Sequence, residues 1–309
     1  MDIIEKIRAK ARSNIKTIVL PEYEDRRTIE AAKIIEKEKI ANVILLTKDK
    51  IVEADKDRYV QQFYDMNKAK GLDLDAVKNI FEDNLYYAAM MTREGKADGF
   101  VAGASHTTPE MARAALRCLG VVERLGTACS CFIMVVPESK LGEQGAFVFA
   151  DCGIVPDPTS RQLASISVSA AELAKKVLDF QPRVAFLSYS THGSAKGRLV
   201  EKITEALRLA KTLSPEVLMD GEIQVDAAIV PEVAQIKYPD SPLKGRANVL
   251  IFPNLEAGNI SYKLVQRLSN ARAIGPIMMG MNRPCSDLSR GCIPEDIVDC
   301  VAVTAIRAQ

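Results

Sequence analysis

The sequence predicts an α/β fold built on mainly parallel sheets, and three observations carry that expectation. Short β-branched or apolar runs alternate with amphipathic helical patterns. Several runs, such as Gly99–Gly103 and Cys131–Val136, are apolar without alternation, as strands covered on both faces are. Loops of small and hydroxyl residues follow the strands, and open α/β sheets gather ligands at the carboxyl ends of their strands.

The elements follow in order. Thr17–Leu20 is a short strand stopped by Pro21, and Asp25 suits the N-cap of the helix after it. Val43–Leu46 completes a βαβ unit, the building block of parallel sheets. Pro137 ends the Cys131–Val136 strand, residues 142–145 form a turn, and Ala146–Ala150 is the next strand. Helical spacing runs from about Ser160 to Leu178. The remaining expected elements are strand Val184–Ser190, a helix from about Ser194 to Leu213, strand Asn248–Phe252, a helix from about Gly258 to Leu268, strand Ile274–Met279 and a closing helix Ile293–Ile306.

Composition narrows the function. A chain of 309 residues with 48% hydrophobic and 26% charged residues forms one large domain or two ordinary ones. A net charge of +1 argues against nucleic-acid or membrane binding by bulk charge, and the absence of tryptophan argues against a base-stacking platform. No apolar run reaches bilayer length, and Met1–Lys6 lacks the order of a signal peptide, so the expected location is cytoplasmic. The seven cysteines fit that location, and Cys129, Cys131 and Cys152 sit in apolar, strand-like surroundings where a reduced thiol behaves as a small hydrophobe. Two histidines, and cysteines at 129 and 131 too close for zinc spacing, make a metal site an unfavoured reading, so none is expected.

Five segments carry candidate chemistry. In Arg283–Asp296, Ser289 can donate to developing negative charge, Arg290 can fork onto a carbonyl or phosphate oxygen, and Asp296 can take a proton. The same residues suit a plain helix entry with Pro294 in the first turn, and the two readings are compatible because a helix N-terminus also favours anions. The loop Ser188–Gly197, with Ser190, Thr191, Gly193 and Ser194, offers hydroxyls and close backbone approach to a phosphate, but without a Walker pattern. In Asn254–Arg267, Asn259, Tyr262, Lys263 and Gln266 share one helical face; the alternative is a solvated face with Ile260 and Leu264 turned inward. Gly103–Thr108 contains His106, which reads as a proton carrier or, more commonly, as a structural histidine, and Arg113 follows. The acidic run Asp220, Glu222 and Asp226 reads as architectural.

Together these segments resemble the phosphate acetyl/butyryltransferase family. Asp287-Leu288-Ser289-Arg290-Gly291-Cys292 is similar to its signature. Ser188–Ser194, Ala257–Lys263, Asp220–Ala228, Asp98–Ala104 and Leu20–Glu22 follow in the family's order. The resemblance implies two three-layer α/β/α domains with mainly parallel sheets and an interdomain cleft, the first domain discontinuous (1–142 plus 284–309), the second 143–283. It implies a homodimer that uses no cofactor, coenzyme A being a substrate together with acetyl phosphate or acetyl-CoA and inorganic phosphate. Catalytic roles are implied for Asp296, Ser289 and Arg290. Substrate contacts are implied for Arg113, Ser190, Thr191, Gly193, Ser194, Asn259, Tyr262 and Lys263. Asn67 stands where some relatives carry an arginine that aids coenzyme A binding, and a cysteine of some relatives is replaced near Ser139.

The implied reaction is reversible acetyl transfer between acetyl phosphate and coenzyme A by direct thiolate attack in a ternary complex. Two alternatives stand beside it. One is a butyryl or propionyl preference, since a pocket discriminates only by about 1–3 kcal/mol per methylene. The other is an NADP-dependent decarboxylating dehydrogenase of related fold, against which the missing Gly-x-Gly-x-x-Gly weighs.

Overall fold

The computed structural model describes residues 2–309. The chain divides into two compact units, Met1–Val122 with Met281–Gln309, and Glu123–Gly280. Ten strands are formed among the described residues: β1 (Thr17–Leu20), β2 (Asn42–Leu45), β3 (Gly99–Val101), β4 (Cys129–Val135), β5 (Ala146–Ala150), β6 (Arg183–Leu187), β7 (Leu218–Ile223), β8 (Val249–Ile251), β9 (Arg272–Met279) and β10 (Cys285–Ser286).

In the first unit the strand order is β2-β1-β3-β10 and every pair is parallel. The strands are short and apolar, and β3 is buried along its whole length. Burial on both faces needs helices on both faces. The helices pack accordingly in two groups. Ile3–Arg12 and Arg26–Glu38 both pack on Pro294–Ala308, and Glu53–Asn67, Asn84–Arg93 and Thr108–Cys118 form the other group. Tyr59 stands edge-on to Tyr87, and Phe63 edge-on to Phe81 and Tyr86, inside that second group. Asp25 caps the Arg26–Glu38 helix by accepting from the Arg27 amide, as its position suggested.

The second unit has the order β9-β4-β5-β8-β6-β7. Pairs β5–β8, β8–β6 and β6–β7 are parallel, and β4 runs antiparallel to both β5 and β9. The boundary expected at residues 142/143 therefore falls inside this unit, at the hairpin where the Val136 amide donates to the Gly145 carbonyl. The core joins Phe132, Phe147, Phe149, Leu250, Phe252 and Tyr262. The expected helix over 160–178 forms over Ser160–Leu178, opened by a reciprocal cap between Thr159 and Gln162.

Two helix starts and one strand depart most from expectation. The helix expected from Ser194 begins at Arg198, because the preceding loop turns the Ser190 hydroxyl and the Gly193 amide onto Glu222. The helix expected from Gly258 begins at Leu255, capped by the Asn254 side chain. The acidic run contributes a strand, β7, that its charges concealed. All seven cysteines are buried and unpaired by disulfides. Among the described residues no helix is long and apolar enough to cross a membrane.

Candidate active site

In the first unit, the loops leaving β1, β3 and β10 meet because those strands are parallel neighbours. Gly103 makes the closest approach. At φ +116° it adopts a conformation open to glycine, and a Cβ there would lie 2.3 Å from Asp287 Oδ1 and 2.5 Å from the Leu288 amide. No other residue lets the β3 loop lie so tightly against the signature loop.

Ser289 and Arg290 are exposed at the tip of that loop, and Asp296 is half-buried in the first turn of the Pro294–Ala308 helix. The Ser289 carbonyl accepts from the Cys292 amide at 2.8 Å, which closes a turn. Ser289 Oγ accepts from the Gly291 amide at 3.3 Å. Asp296 Oδ2 accepts from the Ile293 amide at 3.0 Å, so the carboxylate is anchored at the helix start. The helix entry expected of this segment forms, and the segment displays a hydroxyl, a guanidinium and a carboxylate. The Arg290 guanidinium makes no hydrogen bond or ion pair with any described residue, and neither does exposed Arg113. Arg8, Arg27, Arg58, Arg183 and Arg208 all have carboxylate partners. Arg113 lies on the Thr108–Cys118 helix, whose first residue is tied to the signature loop by a 2.7 Å bond from Thr108 Oγ1 to Asp287 Oδ2. Burial pushes the Asp287 carboxyl up to about 7 against that bond.

Of the groups behind this surface, Glu22 and Asp83 carry no chemistry of their own in the sequence reading, whereas His106 is a candidate proton carrier there. Glu22, at the end of β1, accepts from the amides of Gly103, Ala104, Ser105 and His106 at 2.8–3.1 Å. A row of amides that suits an anion is therefore already filled by a carboxylate. His106 bridges Asp83 (3.2 Å) and Glu22 (2.8 Å), and these two, Asp83 first, raise it to about 10. It is an imidazolium at neutral pH, which corrects its candidacy as a general base. Asn67 is buried and donates to the Phe63 carbonyl at 2.9 Å, so it packs within its own helix.

In the second unit, Ser190 and Thr191 are buried, and Gly193 and Ser194 exposed. Ser190 Oγ donates to Glu222 Oε1 at 2.9 Å, and the Gly193 amide donates to the same oxygen at 2.7 Å. Thr191 Oγ1 accepts from the Gln224 amide, and its own amide donates to Ser194 Oγ. Burial works against the charge on Glu222, yet the Gly193 amide and Ser190 hydroxyl hold its carboxyl below the usual range. Glu222 thus stiffens the loop from behind. Of the acidic run, Asp220 accepts from Ser241 Oγ and Asp226 pairs with Lys237, as the architectural reading expected.

On the Leu255–Leu268 helix, Tyr262 is buried and stacks on Phe132 with centroids 4.0 Å apart, and Asn259 donates to the Cys152 carbonyl. Lys263 is exposed, its ammonium 5.0 Å from the Tyr262 ring centroid. Ile260 and Leu264 face outward, 57% and 53% exposed, so the alternative reading of this helix has the wrong side inward.

A parallel α/β sheet whose strand-end loop presents a hydroxyl, an uncommitted guanidinium and an anchored carboxylate defines a class, enzymes that transfer a group to or from an anionic substrate. Residues 2–305 match the family described as Phosphate acetyl/butaryl transferase. The chain belongs to this family of acyltransferases. It is 48% identical over 328 aligned positions to a phosphate acetyltransferase of Thermoanaerobacterium thermosaccharolyticum, with all of both chains covered. Among solved structures, a phosphotransacetylase from Streptococcus pyogenes superposes with a TM-score of 0.89 at 38% identity, covering 99% of this chain and 98% of that one. A phosphotransacetylase from Staphylococcus aureus does so with a TM-score of 0.85 at 35% identity, covering 100% and 98%.

Proposed function

We propose that this chain is a phosphate acetyltransferase, carrying an acetyl group reversibly between acetyl phosphate and coenzyme A. The observation that carries the reading is the signature loop itself, with Ser289 and Arg290 exposed at a strand end and Asp296 anchored in the helix turn that follows. A thiol that titrates near ~8.5 needs a base to attack at neutral pH. Asp296 takes the thiol proton, and the sulfur attacks the acetyl carbonyl carbon. The carbon–sulfur bond forms, the carbon–oxygen bond to phosphate breaks, and phosphate leaves with the bonding pair. Ser289 donates to the oxyanion of the tetrahedral intermediate, and Arg290 offsets the charge on the departing phosphate. No covalent enzyme intermediate is required.

In the first unit Arg113 serves as a further phosphate contact. In the second, Ser194, Gly193, Lys263 and Asn259 are the groups assigned to substrate, while Ser190, Thr191 and Tyr262 shape the surfaces that carry them. Acetyl is favoured over butyryl on the names of the relatives alone. The enzyme works as a cytoplasmic homodimer without a cofactor.

The test is thioester formation from acetyl phosphate and coenzyme A, followed in the ultraviolet and repeated with butyryl phosphate. Asp296→Asn is expected to lower kcat by roughly a hundredfold or more. A variant that turns over at the parent rate removes Asp296 from the mechanism. A parent chain that forms no thioester removes the assignment altogether.

A further inference from the structure

We infer that Arg27 is a positioning residue for Arg290, holding the signature loop in the register that places the Arg290 guanidinium. The inference rests on the functional reading above and adds a residue to it.

Arg27 lies in the first turn of the Arg26–Glu38 helix, far from the signature loop in sequence. Its guanidinium is gripped from one side by Asp25: Nε donates to Oδ1 at 3.0 Å and Nη2 to Oδ2 at 2.6 Å. Asp25 is itself fixed, accepting from the Arg27 amide at 2.9 Å and from Ser105 Oγ at 3.3 Å. The remaining donors reach three backbone carbonyls on two other loops. Nη1 donates to the Arg290 carbonyl at 2.7 Å and to the Cys292 carbonyl at 3.2 Å, and Nη2 donates to the Ala104 carbonyl at 2.7 Å.

This pattern exploits the shape of arginine. A planar fork with five donors can hold one carboxylate and several carbonyls at once, whereas an ammonium is a single point. Because the fork is oriented by Asp25, it acts as a rigid pin through the ends of β1, β3 and β10. Two of the three carbonyls it holds belong to Arg290 itself and to Cys292, within the turn that closes on the Ser289 carbonyl. The pinned atoms are backbone, so the Arg290 side chain stays clear for an anion. Displacing a reacting group by ~1 Å costs on the order of a hundredfold in rate.

The experiment uses the full chain and the thioester assay. Arg27→Ala is expected to lower kcat by about tenfold or more, with the KM for coenzyme A within about twofold of the parent's. Arg27→Lys keeps a cation beside Asp25 and should retain most of the melting temperature while leaving kcat low. Millimolar guanidinium ion should restore part of the activity of Arg27→Ala. In an Arg290→Ala background, the further change Arg27→Ala should alter kcat by less than about twofold, because the residue acts through Arg290. Three results overturn the inference: parent-like kcat in a folded Arg27→Ala, an equal loss in the Arg290→Ala background, or an Arg27→Lys variant in which stability and kcat recover together. If Arg27→Ala does not fold, Arg27→Lys alone carries the comparison of stability with kcat. An inactive parent counts against the proposed function, while an active parent with an indifferent Arg27 series counts against this inference only.

Discussion

His106 is held between two carboxylates, and its proton is part of the structure. Its folded pKa, raised to about 10 by Asp83 and Glu22, lies above the ordinary value near ~6.5. The folded state therefore binds a proton that the unfolded chain releases as pH rises past ~6.5. The stability it contributes is complete below ~6.5 and is lost as pH climbs toward 10. His106→Gln should cost on the order of 2–5 kcal/mol near pH 6, and the deficit should shrink as pH rises from ~6.5 toward 10, read by denaturant unfolding of both proteins. A deficit that stays constant across that range would show that the ring acts by packing and not by charge. Glu22 works at the same scale. Burial opposes its charge, but the His106 ring and the amides of residues 103–105 hold its carboxyl below the usual range. The sequence showed Glu22 only as part of a resemblance, because its four amide donors lie more than eighty positions away.

At the scale of elements, the Leu255–Leu268 helix shows how close approach decides which face turns inward. Gly258 sits where a Cβ would lie 2.2 Å from the Asp151 carbonyl oxygen and 3.1 Å from Cys152 Sγ. In a free helix Gly→Ala is stabilising by about 1 kcal/mol. Here the added methyl must push the helix away from the end of β5, so Gly258→Ala should destabilise by about 1–3 kcal/mol. Thermal unfolding checks the sign, and a rise in melting temperature would refute the packing argument. The same contact explains why Tyr262 is buried on Phe132 while Ile260 and Leu264 face outward. Helical spacing identified the shared face of Asn259, Tyr262 and Lys263, but hydrophobicity alone favours the opposite side. β7 was hidden for a related reason. Its Asp220 and Glu222 are buried because Ser241, Ser190 and Gly193 satisfy them, and none of those partners is local.

At the scale of the whole molecule, the substrates are expected to act as stabilisers. A ligand that binds only the folded state adds about 2.7 kcal/mol at a hundred times its Kd. Coenzyme A at such a concentration should raise the melting temperature measurably, and NADP with a divalent cation should not. The reverse pattern would favour the dehydrogenase reading over acyl transfer.

The sequence by itself determined the class of fold, the strands β1, β5 and β6 within a residue or so at their starts, the Ser160–Leu178 helix and the loop that bears Ser289, Arg290 and Asp296. These depend on local periodicity, on capping and turn residues, and on a contiguous signature, all of which are written along the chain. Only the tertiary structure decided which charges are already committed and which remain for a ligand. Arg27 is committed to the Arg290 carbonyl across 263 positions, Glu22 to the β3 loop, and Glu222 to the loop after β6, while the Arg290 and Arg113 side chains are left uncommitted among the described residues. The reason is that a charge is neutralised by its neighbours in space, and in a parallel sheet those neighbours arrive from separate crossovers distant in sequence.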